Sequence, residues 1–468
     1  NDVKKAIFDT FAKFEAESFT EKDVERIKTV AETSFYNALS SILYKSFQLA
    51  RYNEYAGSPG YLTEDLERIK AVTKEDILRV YEKYIKDKPY VMTSFVPKGR
   101  ADLAVEGSGL FPLEEEKILA GDEAGAVAGE EIEMKPIPSA FDRSVEPVIG
   151  QDPKIILPVI WKGELDNGIK VLGIKSSEIP LVQFSLTLKG GQLLDDMEKV
   201  GAARMVSRLM MEGTKNRTPV ELEEAIDDLG AFIYISSGRE SIFVRVNCLA
   251  SKFQDVFNLV EEMLLEPRWD EKEFNRIKQE TLEVINRSRA NPNAISYEVF
   301  SKLVYGDKHI LSRPAAGTAD SVAALTLEDL KDYYAKNFSP SLTHITVAGD
   351  VSKDLALEAF GALEEKWAAK EVAIPEYPLP EPREKAQVFF VDVPNAKQSV
   401  IRIGNLGMAI TDPDYYPAFV MNYKLGGSFN SIVNMILREE KGYTYGARTG
   451  FSGSFIPGPF AASSSVQS

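Results

Sequence analysis

The chain has 468 residues, 44% hydrophobic, 27% charged and 10% aromatic, enough apolar material for several cores and about three domains at ~100–200 residues each. Lys plus Arg number 55 against 71 Asp plus Glu, a formal charge of −16, which argues against a generic nucleic-acid or anionic-membrane surface. The single cysteine, Cys248, excludes an intrachain disulfide and a Cys-based zinc cage. The two histidines, His309 and His344, lie 35 residues apart, so no H-x-x-E-H pair exists and a His–His–Glu zinc site cannot be assembled from this chain alone.

The longest apolar run, Ile155–Trp161, contains a proline and falls far short of the ~20 residues of a membrane span. No secretory signal opens the chain. It begins at Asn1, and Val3 to Phe14 already reads as the middle of an amphipathic helix. Two readings stand: a trimmed chain, or a larger protein that has lost its front half. Residues 1–86 are helical in pattern. Glu21 to Leu49 carries apolar positions at three- and four-residue spacing behind Thr20 as N-cap, then come a Gly57-Ser58-Pro59-Gly60 turn, a shorter helix, and a helix opened by Thr73-Lys74-Glu75-Asp76. Tyr90 to Val96 alternates like a strand. Residues 105–150 hold eleven acidic against three basic residues with repeated glycine and proline, the composition of a solvated linker.

From about residue 155 the pattern becomes strand–strand–helix. Ile169–Ile174 and Val182–Lys189 alternate, Val200–Met211 is an amphipathic helix stopped by Gly213, and Thr218 caps a helix over Val220–Leu229. Phe232–Ser236 with Ile242–Asn247 reads as a hairpin, helices follow at 253–265 and 271–289, and Leu330–Asn337 leads into a strand at Thr343–Ala348. The last block reads as strands at Ala386–Val393 and Ser399–Ile403, helices at Tyr415–Leu425 and Ser431–Glu440, and strands at Thr444–Arg448 and Phe460–Ser465. One internal repeat is visible: Thr73, Glu75, Asp76, Tyr81 and Lys83 match Thr326, Glu328, Asp329, Tyr334 and Lys336 at a constant offset of 253. That offset implies two-domain units in tandem.

Three features bear on chemistry. The helix after Gly201 places Arg204 and Arg208 at i,i+4 on one face, which by itself reads as a solvated basic face. Arg438-Glu439-Glu440-Lys441-Gly442-Tyr443-Thr444-Tyr445 is a helix end, a glycine turn and a strand start. That turn is able to bring Arg438 and Tyr445 to one place to bind a peptide carbonyl and stabilise an oxyanion, or it is an ordinary turn with a surface arginine. Gly426-Gly427-Ser428-Phe429-Asn430-Ser431 precedes a helix but lacks either phosphate-loop signature. His309 in a turn and His344 at a strand start read as structural.

At these residues the chain resembles the pitrilysin–insulinase–mitochondrial processing peptidase family of inverted zinc peptidases. Members carry G-x-A-H-F-L-E-H-M-x-F-x-G-T where this chain has Gly201 to Thr214. Tyr305-Gly306-Asp307-Lys308-His309, Arg313-Pro314, Gly317-Thr318 and Leu325-Thr326 through Ala348-Gly349-Asp350 are similar to the rest of that domain. Leu425-Gly426-Gly427 through Tyr445 resembles the partner domain, with the family's Arg and Tyr separated by seven.

The resemblance implies an α+β fold of tandem α/β roll modules, each a mixed or antiparallel sheet packed against helices. Residues 1–104 would be the C-terminal part of the partner domain of a preceding half, 105–154 an acidic linker, 155–370 a third, metal-site-type domain and 371–468 a fourth, Arg/Tyr substrate-binding domain. It also implies a lost metal site. The zinc histidines fall on Arg204 and Arg208, the catalytic base on Ser207, and only the distal ligand survives as Glu283, 75 residues beyond Arg208. Guanidinium stays protonated and binds no zinc, so Glu283 is expected to pair with Arg204, Arg208 or both.

The function implied is the C-terminal, non-zinc-binding portion of a zinc endopeptidase, inactive alone. Arg438 and Tyr445 would bind the scissile carbonyl of a peptide substrate, in trans to zinc held by a front half of the same polypeptide or a partner subunit. This chain would bind no cofactor and no nucleic acid, and would contain no membrane span. The alternatives are a non-catalytic scaffold or assembly subunit and a peptide-binding, chaperone-like role. Bacterial envelope and cytoplasm both stay open.

Overall fold

The computed structural model describes residues 2–17, 19–111, 156–394 and 396–467, with positions 142, 145, 150 and 154. Most of the linker expected at 105–154 lies outside the described residues. By compactness the chain divides into one unit of residues 1–21 and 72–158 and another of residues 22–71 and 159–468.

Five helices open the chain: α1 (Asp2–Glu17), α2 (Glu21–Ser40), α3 (Ile42–Ala56), α4 (Tyr61–Ala71) and α5 (Lys74–Tyr84). The single helix expected over 21–49 breaks at Ser41, whose extended backbone and hydroxyl cap α3 by accepting the Tyr44 N–H at 3.4 Å. Adjacent serines offer the backbone that local alternative. In the first unit α1 and α5 meet through Phe14 and Tyr81, ring centroids 4.6 Å apart, and the Tyr81 hydroxyl donates to Glu15 at 2.9 Å. Residues 90–96 form no strand, contrary to their alternation. A strand needs a ladder to satisfy its backbone, and none reaches them among the described residues.

The second unit carries the strands β1 (Trp161–Glu164), β2 (Lys170–Lys175), β3 (Leu181–Lys189), β4 (Phe232–Ser237), β5 (Ser241–Leu249), β6 (Thr343–Gly349), β7 (Gln398–Leu406), β8 (Ala447–Phe451) and β9 (Pro459–Gln467). Its further helices are α6 (Ala202–Leu209), α7 (Pro219–Asp228), α8 (Phe253–Leu265), α9 (Glu271–Ser288), α10 (Pro292–Tyr305), α11 (Ala319–Ala324), α12 (Leu327–Asn337), α13 (Lys353–Lys366) and α14 (Tyr415–Asn422). Six strands form a mixed sheet in the order β1-β2-β6-β3-β5-β4, in which only β2 and β6 run parallel. The expected α+β class, with a mixed sheet packed against helices, is therefore correct.

The two-residue alternation of the central strand β3 turns Val182, Phe184, Leu186 and Leu188 into the core. Phe184 meets Phe253 and Phe257 of α8 and Phe360 of α13, with ring centroids 5.6, 5.9 and 5.8 Å away. This aromatic cluster joins the sheet to its helices, each such pair adding about 0.5–1.5 kcal/mol beyond area burial. The repeated Thr–x–Glu–Asp segments are both N-caps: Thr73 and Asp76 form a capping box on α5, and Thr326 and Asp329 form one on α12.

A second sheet, β7-β9-β8, is antiparallel and three-stranded, with β7 and β9 in unbroken register from Gln398 against Gln467 to Leu406 against Pro459. Residues 386–393, expected as a strand, lie outside any sheet among the described residues, with Val388 and Phe390 98% and 88% exposed. Their pattern is that of a strand, but nothing described pairs with it.

Candidate functional site

Helix α6 is placed by Asp195. Its carboxylate accepts the N–H groups of Gly201 and Ala203, each at 2.8 Å, satisfying donors that a helix start leaves open. Gly201 supplies φ = 110° for the entry, a value that L side chains rarely adopt. Asp195 is only 5% exposed, and burial pushes its carboxyl up to about 7 despite those two hydrogen bonds. Composition could not single it out among 71 acidic residues.

From this start α6 sends Arg204, Ser207 and Arg208 to different fates, while Glu283 stands on α9. Ser207 is buried and donates its hydroxyl back to the Ala203 carbonyl at 2.9 Å, so it is engaged within its own helix and has no base chemistry. Arg208 reaches α9, donating to Thr281 Oγ1 at 2.9 Å and to Glu280 Oε2 at 2.6 Å. The expected pairing with Glu283 is not formed: Glu283 lies on the same helix, three residues past Glu280, exposed and without an ion pair among the described residues. Arginine is longer than the histidine that the resemblance places there, and its fork engages a hydroxyl and a carboxylate two and three residues before Glu283 on α9. Arg204 is exposed and makes no hydrogen bond or ion pair among the described residues.

Arg208 belongs to a network. Glu280 also accepts from Arg276 at 2.7 Å, and Arg276 pairs with Glu273 at 2.6 Å and with Glu212, just beyond α6, at 2.6 Å. The Glu273, Glu212 and Glu280 carboxylates hold the Arg276 guanidinium above its ordinary range, and Arg276 first, then Arg208, holds Glu280 below its own. Ion pairs therefore tie α6 to α9. Among the described residues no three His, Cys, Asp or Glu side chains are grouped to hold a metal. An exposed Arg204, a paired Arg208 and an internally bonded Ser207 do not fit zinc.

The Arg438 turn differs. Ile432–Asn434 is α-helical and Met435–Glu440 widens into π-helix. Gly442 at φ = 63° ends it, its N–H donating to the Arg438 carbonyl at 3.1 Å. Tyr445 sits in the turn ahead of β8 and not on the strand expected from residue 444. The turn holds itself open: Thr444 Oγ1 donates to the Ser465 carbonyl and accepts the Gly446 N–H. The Arg438 guanidinium lies over the Phe429 ring at 4.7 Å, and its Nε is 3.2 Å from Glu439. Tyr445 is 81% exposed and its hydroxyl has no partner among the described residues. The two side chains share one turn, but among the described residues no hydrogen bond or cation–ring contact joins them. Phe429 is the partner that sequence reasoning missed, within a segment weighed there only for phosphate.

Beside this turn a cavity of about 540 Å³ opens between the three-stranded sheet and the helix, lined by Ile401, Ile403, Val433, Leu437, Tyr443 and Val466 among others. Leu437 precedes Arg438, and Tyr443 lies two before Tyr445. His309 is 1% exposed between Tyr305 and Tyr377, with Nδ1 accepting the Leu311 N–H at 3.1 Å, a capping role. His344 lies within β6.

Residues 170–318 match the family described as Insulinase (Peptidase family M16), and residues 324–468 match its companion described as Peptidase M16 inactive domain. The protein named Uncharacterized zinc protease YmxG, of Bacillus subtilis (strain 168), is 23% identical over 282 residues, 60% of this chain and 67% of that one. The Non-peptidase homolog YmxG of Helicobacter pylori is 22% identical over 279 residues, 58% of this chain and 63% of its own length. The crystal structure of a peptidase M16 inactive domain from Pseudomonas fluorescens shares the fold, with a TM-score of 0.61 at 24% identity over 66% of this chain and 74% of that one. Alignment with the first curated relatives spans 46 to 67% of their lengths.

Proposed function

We infer, from a chain that belongs through residues 170–468 to the insulinase family of M16 peptidases, that this protein is the substrate-side portion of a zinc endopeptidase. It binds peptide and completes an active site whose zinc is held elsewhere, in a front half or a partner subunit. The observation that carries the reading is the Arg438–Tyr445 turn. A guanidinium over the Phe429 ring with Glu439 beside it, and a phenol with no partner among the described residues, lie seven residues apart on one self-braced loop. Two such donors suit a peptide carbonyl and the oxyanion that forms from it. The apolar cavity next to the turn suits a neighbouring peptide side chain. Replacing Arg438 by Ala in the assembled enzyme is expected to lower peptide turnover; an unchanged rate removes this role.

A non-catalytic scaffold or assembly subunit is the second reading. The replacement of the zinc-site residues by an interhelical ion-pair network favours it, as does the existence of a family member named as a non-peptidase homolog. Association with a zinc-bearing half without any gain in cleavage would select it.

A further inference from the structure

Helix α2 lies against the first sheet module by a polar face. Lys22, Arg26, Thr29, Thr33 and Asn37 recur at spacings of four, three, four and four residues, the stripe of one helix side. At one end Arg26 Nε donates to Asp228 Oδ1 at 2.5 Å and Lys22 Nζ lies 2.7 Å from Oδ2, at the last residue of α7. Arg26 also stands 3.9 Å from Glu224, and its side chain is 18% exposed against 26% for Asp228. At the other end Asn37 Oδ1 accepts from Asn247 Nδ2 of β5 at 2.5 Å. Between them Gly230, at φ = 57°, lets the helix backbone come close: a Cβ there would stand 2.8 Å from the Thr29 carbonyl oxygen. Thr33 is buried, and Lys70 of α4 pairs with Glu32 of α2 at 2.7 Å.

A helix that packs for stability ordinarily turns an apolar stripe inward. The stripe that α2 turns toward α7 and β5 is charged and hydroxylic, with Arg26 between Asp228 and Glu224 and the apolar Val24 buried on the opposite face, so docking there rests on hydrogen bonds and ion pairs that are individually weak in water. We propose that α2 is a releasable clasp whose partner is the α7–β4 corner of this same chain, and whose hold is electrostatic. The clasp does not depend on the peptidase reading, because its test reads protection and not turnover.

The test is hydrogen exchange by mass spectrometry on the intact chain at 50 and 500 mM NaCl, reading segment 21–40, with the segments of β3 and β5 as the internal standard. In the unsubstituted chain exchange over 21–40 is expected to rise with salt while the two strands stay protected. Arg26→Gln and Arg26→Asp alter only the helix side and are expected to speed that exchange about tenfold at low salt, the size of one lost charged hydrogen bond. Arg26→Lys, which keeps the charge, is expected to retain most of the protection. Exchange over 21–40 indifferent to salt and to Arg26→Gln would overturn the clasp, as would a loss through Arg26→Lys as large as that through Arg26→Asp.

Discussion

Two arginine-bearing helix ends in this chain have opposite surroundings. In the α6–α9 region Ser207 is bonded to its own helix, and Arg208 and Arg276 are knotted with Glu212, Glu273 and Glu280. At the Arg438 turn the guanidinium has, among the described residues, an aromatic face and one neighbouring carboxylate, and the Tyr445 hydroxyl has no partner among them. In the first region contacts within the chain occupy the polar groups. In the second, open donors stay on a braced turn, and the proposed peptide-carbonyl role is argued from them.

This contrast is sharpened most by the turn. Arg438→Ala in the assembled enzyme is expected to reduce kcat by roughly 10²–10³, the usual cost of one oxyanion donor, with the melting temperature unmoved because the side chain is 37% exposed. A fall in stability without a fall in kcat would make Arg438 a structural residue and erase the contrast.

Asp195 tests the other region. Asp195→Asn leaves one backbone N–H facing an amide donor and is expected to cost about 1–3 kcal/mol in urea unfolding. Its pH dependence has a definite sign. The folded carboxyl is raised to about 7, so its contribution is full below the unfolded value near ~3.9 and is lost as pH rises through about 7. The stability advantage of the unsubstituted chain over Asp195→Asn should therefore shrink from pH 5 to pH 8. A difference constant over that range contradicts a buried, raised carboxyl.

How far these sites were legible follows from what each contact needs. The positions Arg204, Ser207, Arg208 and Glu283 follow from motif alignment, and the helices and most strands follow from periodicity. The partner of Arg208 does not, because Glu280 and Glu283 differ by less than one helical turn and side-chain reach decides between them. Strand pattern marks 90–96 and 386–393, but alternation records a side chain's preference and not the presence of a neighbouring ladder. Asp195 was invisible for a similar reason: its burial is made by elements distant in sequence.

Smaller effects probe the ion-pair knot itself. Arg276→Ala breaks three pairs at a half-exposed site and is expected to cost about 1 kcal/mol, falling with added salt; no change at low salt would mean the network does not tie α6 to α9. Arg204→Ala, which breaks no ion pair, should stay within about 0.5 kcal/mol in the same measurement. A larger loss would reveal a contact that the contrast denies.

The central claim is tested most directly by cleavage of a mixed fluorogenic peptide library. This chain would be assayed alone and together with a zinc-bearing half of the same family, with and without a zinc chelator, after association of the two has been established by co-elution. The account predicts cleavage by the pair beyond that of the zinc-bearing half alone, abolished by the chelator and absent from this chain by itself. Chelator-sensitive cleavage by this chain alone, or a pair no more active than its zinc-bearing member, would contradict it.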